Sequence, residues 1–368
     1  MSTVAIVGAG AIGRAYAALL ARDGHAVALW SPTGAGTRDL PSATADIGPW
    51  PGTRALTLVS TGVYTGSTVV AALADPQGLA AADVVIVALP APAYSNVLPV
   101  VASHVRDGQT VLVSAALSLA PLWLAELAAA RGERPVVAAF GTTVATARAR
   151  DDGVAIMTLR TRLGVAAVPV SAGPAALATC CALFGDRFDL VDSVLAVTLT
   201  NINPVAHAAM ALANFTRIER GEAWPQYHYL TPAVARLVEA IDAERRAVAA
   251  ACQQNVTTIE AHFQRSFDVA QCTLAEIAAE LHRRRGGPPG PTSLDTRFVL
   301  EDVPYGLVFN IALARVAGIA VPVTESVVTL LSTLYARDFR SENPLIDALG
   351  LPGETPGGLR ARCAGLAA

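Results

Sequence analysis

Three clusters in this sequence carry residue types that could do chemistry. The first is Gly8-Ala9-Gly10-Ala11-Ile12-Gly13. Glycines at that spacing allow a tight turn and a close backbone approach at Gly10 to a pyrophosphate, on the positive end of a helix dipole. The motif carries that meaning only where a strand leads in and a helix leads out. Here the apolar, β-branched residues 3–7 precede it and an Ala/Leu-rich stretch over 14–23 follows. A small-residue turn for helix–strand packing is the plainer alternative. The expected dinucleotide contacts are Gly8, Gly10, Ala11, Ile12 and Gly13, with Leu89 and Pro90 at the end of a later apolar strand. The second strand ends in Trp30-Ser31-Pro32-Thr33, without the Asp or Glu that commonly holds the ribose of NAD, and Arg38 follows. A hydroxyl plus a guanidinium suits a 2′-phosphate. NADP is therefore the expected cofactor, with NAD kept open, although Arg38 taken alone reads equally well as an exposed loop residue.

The second cluster is Asn201-Ile202-Asn203-Pro204-Val205-Ala206-His207. Asn203 and His207 are four apart and share a face if both lie in one helix. An amide that orients a carbonyl or carboxylate beside a general acid/base is one reading. Asn203 as an N-cap before Pro204 and His207 as a satisfied core histidine are the plainer ones, and these two residues alone favour them. The third cluster is Glu301-Asp302-Val303-Pro304-Tyr305-Gly306. Asp302 reads most simply as the N-cap of the helix that follows. Its other reading is a partner that fixes the tautomer of His207 and favours its charged form.

The elements that must position these residues fall into two halves. Strand-like runs over 3–7, 26–30, 83–89, 109–114 and 135–140 alternate with helical stretches over 14–23, 93–105 and 120–130. Continuous apolar strands alternating with helices predict a parallel, doubly wound α/β sheet of Rossmann type. Further strand-like material over 155–169 precedes a helix over 174–184. Beyond about residue 200 the periodicity is helical. One long pattern covers 204–218, Thr231-Pro232 opens another helix, and Thr273-Leu274-Ala275-Glu276 is a capping box. Helices are also expected over 303–317 and 324–336, with an irregular loop over 283–291. The expected domains are therefore 1–195, dinucleotide-binding, and 196–368, all-helical and catalytic.

Composition narrows the classes. The 368 residues suit two domains, with 53% hydrophobic, 15% charged and a formal net charge of -3. That balance argues against disorder and against a nucleic-acid partner. All the basic residues are Arg, which excludes lysine Schiff-base chemistry and a P-loop. Mean hydropathy is high, +0.45, but the most apolar runs, 84–89 and 194–199, are strand-length, short of a membrane span. Five cysteines without CxxC spacing argue against a disulfide framework and a metal site. A cytoplasmic protein is expected, with no signal peptide, since a strand begins by Val4. A homodimer is left open, because interface and core look alike at this hydropathy.

Together these features resemble the opine dehydrogenase family, the relatives of octopine and nopaline dehydrogenases. The resemblance covers nearly the whole chain: the glycine motif, Thr142-Thr143 with Arg148, Asn203 to His207, the 231–246 helix and Asp302 to Gly306. The family reduces the imine formed between a 2-oxo acid and an amine. The resemblance implies that His207 is the catalytic histidine, Asp302 its partner and Asn203 the helix amide, reversing the plainer readings above. It also implies Thr143 and Arg148 as substrate-binding residues. Two departures are Ala208, where the family commonly has Pro, and the non-acidic end of the second strand. The expected reaction is NAD(P)H-dependent reduction of a C=N bond, in an opine-type condensation or on a related biosynthetic imine. The alternatives are a His-dependent reductase forming an alcohol from an oxo acid, and a non-catalytic dinucleotide sensor. Relatives of the first commonly use a catalytic lysine, which this chain lacks; the second would have no reason to keep both His207 and Asp302.

Overall fold

The computed structural model describes residues 1–267, 269–270 and 272–365. The chain divides into two compact units, Met1–Thr198 joined by the segment that starts at Arg362, and Leu199–Ala361. That late segment is fastened to the first unit by its own chemistry. Arg362 forms a bidentate pair with Glu126 at 2.8 and 2.9 Å, and the Val170 N–H donates to the Ala364 carbonyl.

The first unit is built on one sheet. Its strands are β1 (Thr3–Val7), β2 (Ala26–Trp30), β3 (Ser42–Ala43), β4 (Arg54–Gly62), β5 (Gly66–Leu73) and β6 (Val84–Val87). They continue with β7 (Thr110–Ser114), β8 (Val136–Phe140), β9 (Ala145–Arg150), β10 (Gly153–Leu159), β11 (Leu163–Val168) and β12 (Phe188–Leu190). The spatial order is β12-β11-β8-β7-β6-β1-β2-β5-β4-β10-β9, with β3 on β4. From β8 to β5 neighbours run parallel, with Val4–Val7 pairing Val27–Trp30 on one side and Val84–Val87 on the other. These apolar strands are buried on both faces, which explains their unbroken hydrophobic runs. The expected doubly wound α/β core is present.

Around that core lie antiparallel additions that alternation did not reveal. The β4–β5 and β9–β10 hairpins cover residues 54–73 and 145–159, and β11 runs antiparallel to β8. Their strands are rich in Thr, Ser, Ala and Arg, so the apolar signal is diluted. The helices of this part are α1 (Ala11–Arg22), α2 (Ala35–Arg38), α3 (Tyr94–Ala102), α4 (Ala120–Ala129), α5 (Gly173–Phe184) and α6 (Val194–Leu199).

The second unit is helical, with α7 (Asn203–Ala213), α8 (Phe215–Glu219), α9 (Pro232–Ala251), α10 (Ile259–Phe267) and α11 (Leu274–Arg285). Then come α12 (Arg297–Leu300), a π-helical turn Val303–Val308, α13 (Phe309–Ala317) and α14 (Pro322–Tyr335). Thr231 caps α9 and Thr273 with Glu276 forms the capping box of α11, both as their sequence signatures predict. Two expectations are corrected. Residues 194–199 form a helix, and the stretch Val194–Ala213 is long and apolar enough to cross a membrane, at a mean hydropathy of 1.2. It is 83% buried within the protein, as a core helix is. The single helix expected over 204–218 is broken at Asn214, whose side-chain amide donates to the Met210 carbonyl and closes α7.

The tightest steric demand of the fold lies at Gly13. A Cβ there would stand 1.8 Å from the Gly8 carbonyl oxygen. Gly13→Ala is expected to lower stability by at least about 2 kcal/mol, toward the severe end of overpacking costs. Urea unfolding followed by tryptophan fluorescence measures it; an unchanged midpoint would contradict the packing described.

Candidate functional site

In the first unit β1 delivers the chain into the glycine turn. Gly8 has φ +106°, and a Cβ there would lie 2.5 Å from the Ala88 carbonyl oxygen and 2.9 Å from a Leu89 methyl. Gly8 and Gly13 are therefore fixed by packing. Gly10 is different. It is the N-cap of α1, and nothing stands within 4 Å of where its Cβ would be. The missing side chain leaves open space above the first turn. No side chain caps α1 and no acid occupies its first turn. The N–H groups of Ala11, Ile12 and Gly13 thus face an opening suited to a pyrophosphate. The residues present fit a dinucleotide, and among the described residues no cluster suited to a metal ion occurs.

The segment after β2 lies against this turn. A Cβ on Gly36 would be 2.8 Å from the Ala9 methyl. Ser31 Oγ accepts from the Gly36 N–H at 3.1 Å and keeps its own proton for donation. Arg38, at the end of α2, is exposed, and its carbonyl is held by Arg54. Pro90 is exposed just beyond Leu89.

Sequence reasoning missed two parts of this neighbourhood. Tyr16 is wholly buried, and burial pushes its phenol up to about 12. Its oxygen accepts from the Val144 N–H at 2.9 Å and shares a proton with Ser114 Oγ at 2.8 Å, at the end of β7. Just past β7, Ala115, Ser118 and Leu119 adopt φ of +53°, +52° and +51°. Left-handed conformations at non-glycine residues cost about 1–2 kcal/mol each, and nothing in residue type announces them. The other missed part is Arg14, whose position directly after the glycine motif was the available signal. Thr143 and Arg148 are not brought together. Thr143 precedes β9 beside the Tyr16–Ser114 pair and accepts from Arg160 through its carbonyl. Arg148 is exposed near the far end of β9, roughly 16 Å along an extended chain from Thr143.

In the second unit Asn203 and His207 lie on one face of α7, both half-buried between buried neighbours. Asn203 is not the N-cap. It is the first helical residue, and its N–H donates to Asn201 Oδ1 at 3.1 Å. The side-chain amide of Asn203 is thereby spared from capping. The backbone before it is anchored by Arg245, fully buried on α9, which donates to the Leu199 carbonyl, to the Thr257 carbonyl and to Asp242.

His207 Nδ1 bonds Asp302 Oδ2 at 2.8 Å, across 95 residues of sequence. The imidazole stacks on Phe298, with ring centres 3.7 Å apart and planes within 5°. Position and plane of the ring are both determined, and with an ionised carboxylate on Nδ1 the free ring nitrogen is Nε2. Asp302 does not cap the following turn through its side chain. It is fully buried, and its Oδ1 has no hydrogen-bond partner among the described residues. The turn after it is π-helical, with Pro304 in its first turn, a form frequent at functional sites. Asn343 donates to the Pro304 carbonyl at 3.1 Å. A Cβ on Gly306 would stand 2.3 Å from Pro204, so only glycine lets this turn seat against the start of α7. Phe298 carried no signal that could have marked it.

Comparison with known proteins covers both units. The family described as NAD/NADP octopine/nopaline dehydrogenase, alpha-helical domain, matches residues 190–335. Residues 4–116 match ketopantoate reductase PanE/ApbA. The chain is 29% identical over 363 residues to an opine dehydrogenase of Arthrobacter sp. (strain 1C), covering 97% of this chain and 98% of that protein. It is 28% identical over 173 residues to the Protein ocs of Agrobacterium tumefaciens (strain Ach5), covering 46% of this chain and 48% of that protein. Among solved structures, octopine dehydrogenase in complex with NADH and agmatine superimposes with a TM-score of 0.79 at 17% identity, over 100% of this chain and 99% of that one. Yersinopine dehydrogenase with NADP+ gives 0.67 at 17% identity, over 98% and 97%.

The buried carboxylate makes a stability prediction. Removing the imidazole strands Asp302 away from water without a partner, so His207→Ala is expected to destabilise the second unit by about 3–5 kcal/mol. The double variant His207→Ala/Asp302→Leu should recover most of that loss. Chemical denaturation of the three proteins measures it, and a single variant as stable as the parent would contradict the pairing.

Proposed function

We infer, from a chain that belongs to the opine dehydrogenase family and is an NAD(P)-dependent oxidoreductase acting on CH–NH bonds, that it reduces the imine formed between a 2-oxo acid and an amine. The observation that carries the site assignment is His207, bonded at Nδ1 by a fully buried carboxylate, held flat by Phe298 and free at Nε2. When bound, the nicotinamide supplies the hydride. The residues of this chain supply binding, orientation and a proton.

A buried carboxylate with one hydrogen-bond partner is costly unless that partner bears positive charge. Asp302 bonds Nδ1 and so leaves Nε2 as the ring nitrogen that can pass a proton to the substrate. A protonated imine carbon is more electrophilic than a ketone, so a cationic donor at this point favours C=N over C=O. Asn203, one turn earlier on the same face, presents its amide to a second polar group of the bound species. The oxo acid's carboxylate needs a cation, and the chain has no lysine. We assign that role to Arg148 or to His207 when charged, and keep Thr143 as a candidate for a neutral hydrogen bond to the substrate. The separation of Thr143 and Arg148 along the extended chain means that they do not grip one carboxylate together.

For the cofactor we favour NADP over NAD. Gly8, Gly10, Ala11, Ile12, Gly13, Leu89 and Pro90 line the dinucleotide turn. Ser31 offers a hydroxyl proton and Arg38 an exposed guanidinium, and the end of β2 carries no acid to repel a 2′-phosphate. A cytoplasmic site of action is in keeping with five cysteines that form no disulfide.

Three measurements test this reading. With NADPH, a 2-oxo acid and an amine, product mass should show a secondary amine, and the rate should fall sharply when the amine is omitted. Full-rate alcohol formation without amine would instead favour the ketone-reducing reading raised by the match over residues 4–116. Efficiency with NADPH should exceed that with NADH by more than about tenfold, the worth of one charge-assisted contact; parity would refute the preference. His207→Ala should lower kcat at least about a hundredfold, and His207→Ala/Asp302→Asn little further. Additive losses would contradict their acting as a unit.

A further inference from the structure

Arg14 stands one turn past Gly10 on α1 and spends its side chain on backbone carbonyls alone. Nε donates to Ala9 at 3.0 Å, Nη1 to Arg150 at 2.5 Å and Gly153 at 3.0 Å, and Nη2 to Gly36 at 3.0 Å. Four of the five guanidinium N–H groups are so accounted for. The acceptors belong to three separate stretches: the glycine turn, the segment after β2 that carries Arg38, and the two ends of the β9–β10 turn.

The contact is built rather than incidental. Gly36 lies so close to Ala9 that a side chain there would collide, so the first two stretches touch directly. No carboxylate forms an ion pair with Arg14 among the described residues. The nearest opposing charges are Asp151 and Asp39, and desolvation outweighs them, lowering the guanidinium's affinity for its proton. A partly dehydrated cation surrounded by carbonyls, with no carboxylate paired to it directly among the described residues, is electrostatically suited to an anionic ligand beside it. A planar fork is required to reach all four carbonyls; an ammonium presents a single point.

We propose that Arg14 is a positioning residue for the phosphate-bearing half of the dinucleotide, clamping the glycine turn, the Ser31–Arg38 segment and the β9–β10 turn into one wall. This rests on the reading that the first unit binds a dinucleotide.

Titration calorimetry with NADPH and with NADH tests it on the parent, Arg14→Lys and Arg14→Met proteins, alongside amide hydrogen exchange without nucleotide. Both variants should bind NADPH at least about tenfold more weakly, on the scale of one charge-assisted contact. Lysine should not rescue binding, because it keeps the charge and loses the fork. The kcat at saturating NADPH should stay within about threefold, and exchange should quicken over 34–37 and 151–153. Variants that lose only thermal stability, with nucleotide affinity within about twofold of the parent, would overturn the proposal. So would full rescue by lysine. If Arg14→Met does not fold, the lysine variant alone decides. A parent protein that binds neither nucleotide would instead remove the dinucleotide reading on which the proposal stands.

Discussion

The bond between His207 and Asp302 is the constraint around which the helical unit is arranged. A carboxylate withdrawn completely from water is tolerable only beside a partner that compensates its charge, and among the described residues the imidazole is the one group bonded to it. Everything near the pair serves to bring two distant stretches of chain to that contact. Pro204 starts α7 and Gly306 leaves room for it, so the π-helical turn seats against the helix that carries His207. Phe298 sets the plane of the ring. Arg245 holds the backbone that leads into α7, and Asn201 takes over the capping of its first turn. The site is thus rigid through backbone packing, and its two half-exposed polar side chains emerge from otherwise buried surroundings.

The first unit solves a different problem, that of bringing backbone close to a ligand without side chains in the way. Two of the three motif glycines are consumed by internal packing, and only Gly10 leaves space outside. The glycine pattern therefore encodes one contact and two conditions for it. Around the turn, hydrogen bonds from Arg14, Ser31 and Tyr16 tie together segments that share no strand pairing.

How much of this was legible follows from the range of each constraint. The glycine turn and the parallel core were readable because each depends on residues close together in the chain. Capping by Thr231 and Thr273 was readable for the same reason. The β4–β5 and β9–β10 hairpins were not, since their strands mix Thr, Ser and Arg with small apolar residues. Residues 194–199 look identical as strand or helix when only hydrophobicity is considered. Local rules misread Asn203 and Asp302, both placed where caps commonly stand, because tertiary contacts 95 residues apart took the Asp302 side chain elsewhere. Resemblance to a family pointed to them; spacing did not. Phe298 and the left-handed residues after β7 have no local signature at all.

The fastening of the late segment to the first unit has a consequence for how the molecule is made. Arg362 and Ala364 complete contacts with Glu126 and Val170, residues synthesised long before them. The helical unit is therefore an insertion within the chain of the first unit. The strands of the sheet all precede the helical unit in the chain, whereas the contacts of Arg362 and Ala364 can form only after that unit has been made. The ion pair of Arg362 with Glu126 thus closes a loop of chain that contains the whole helical unit.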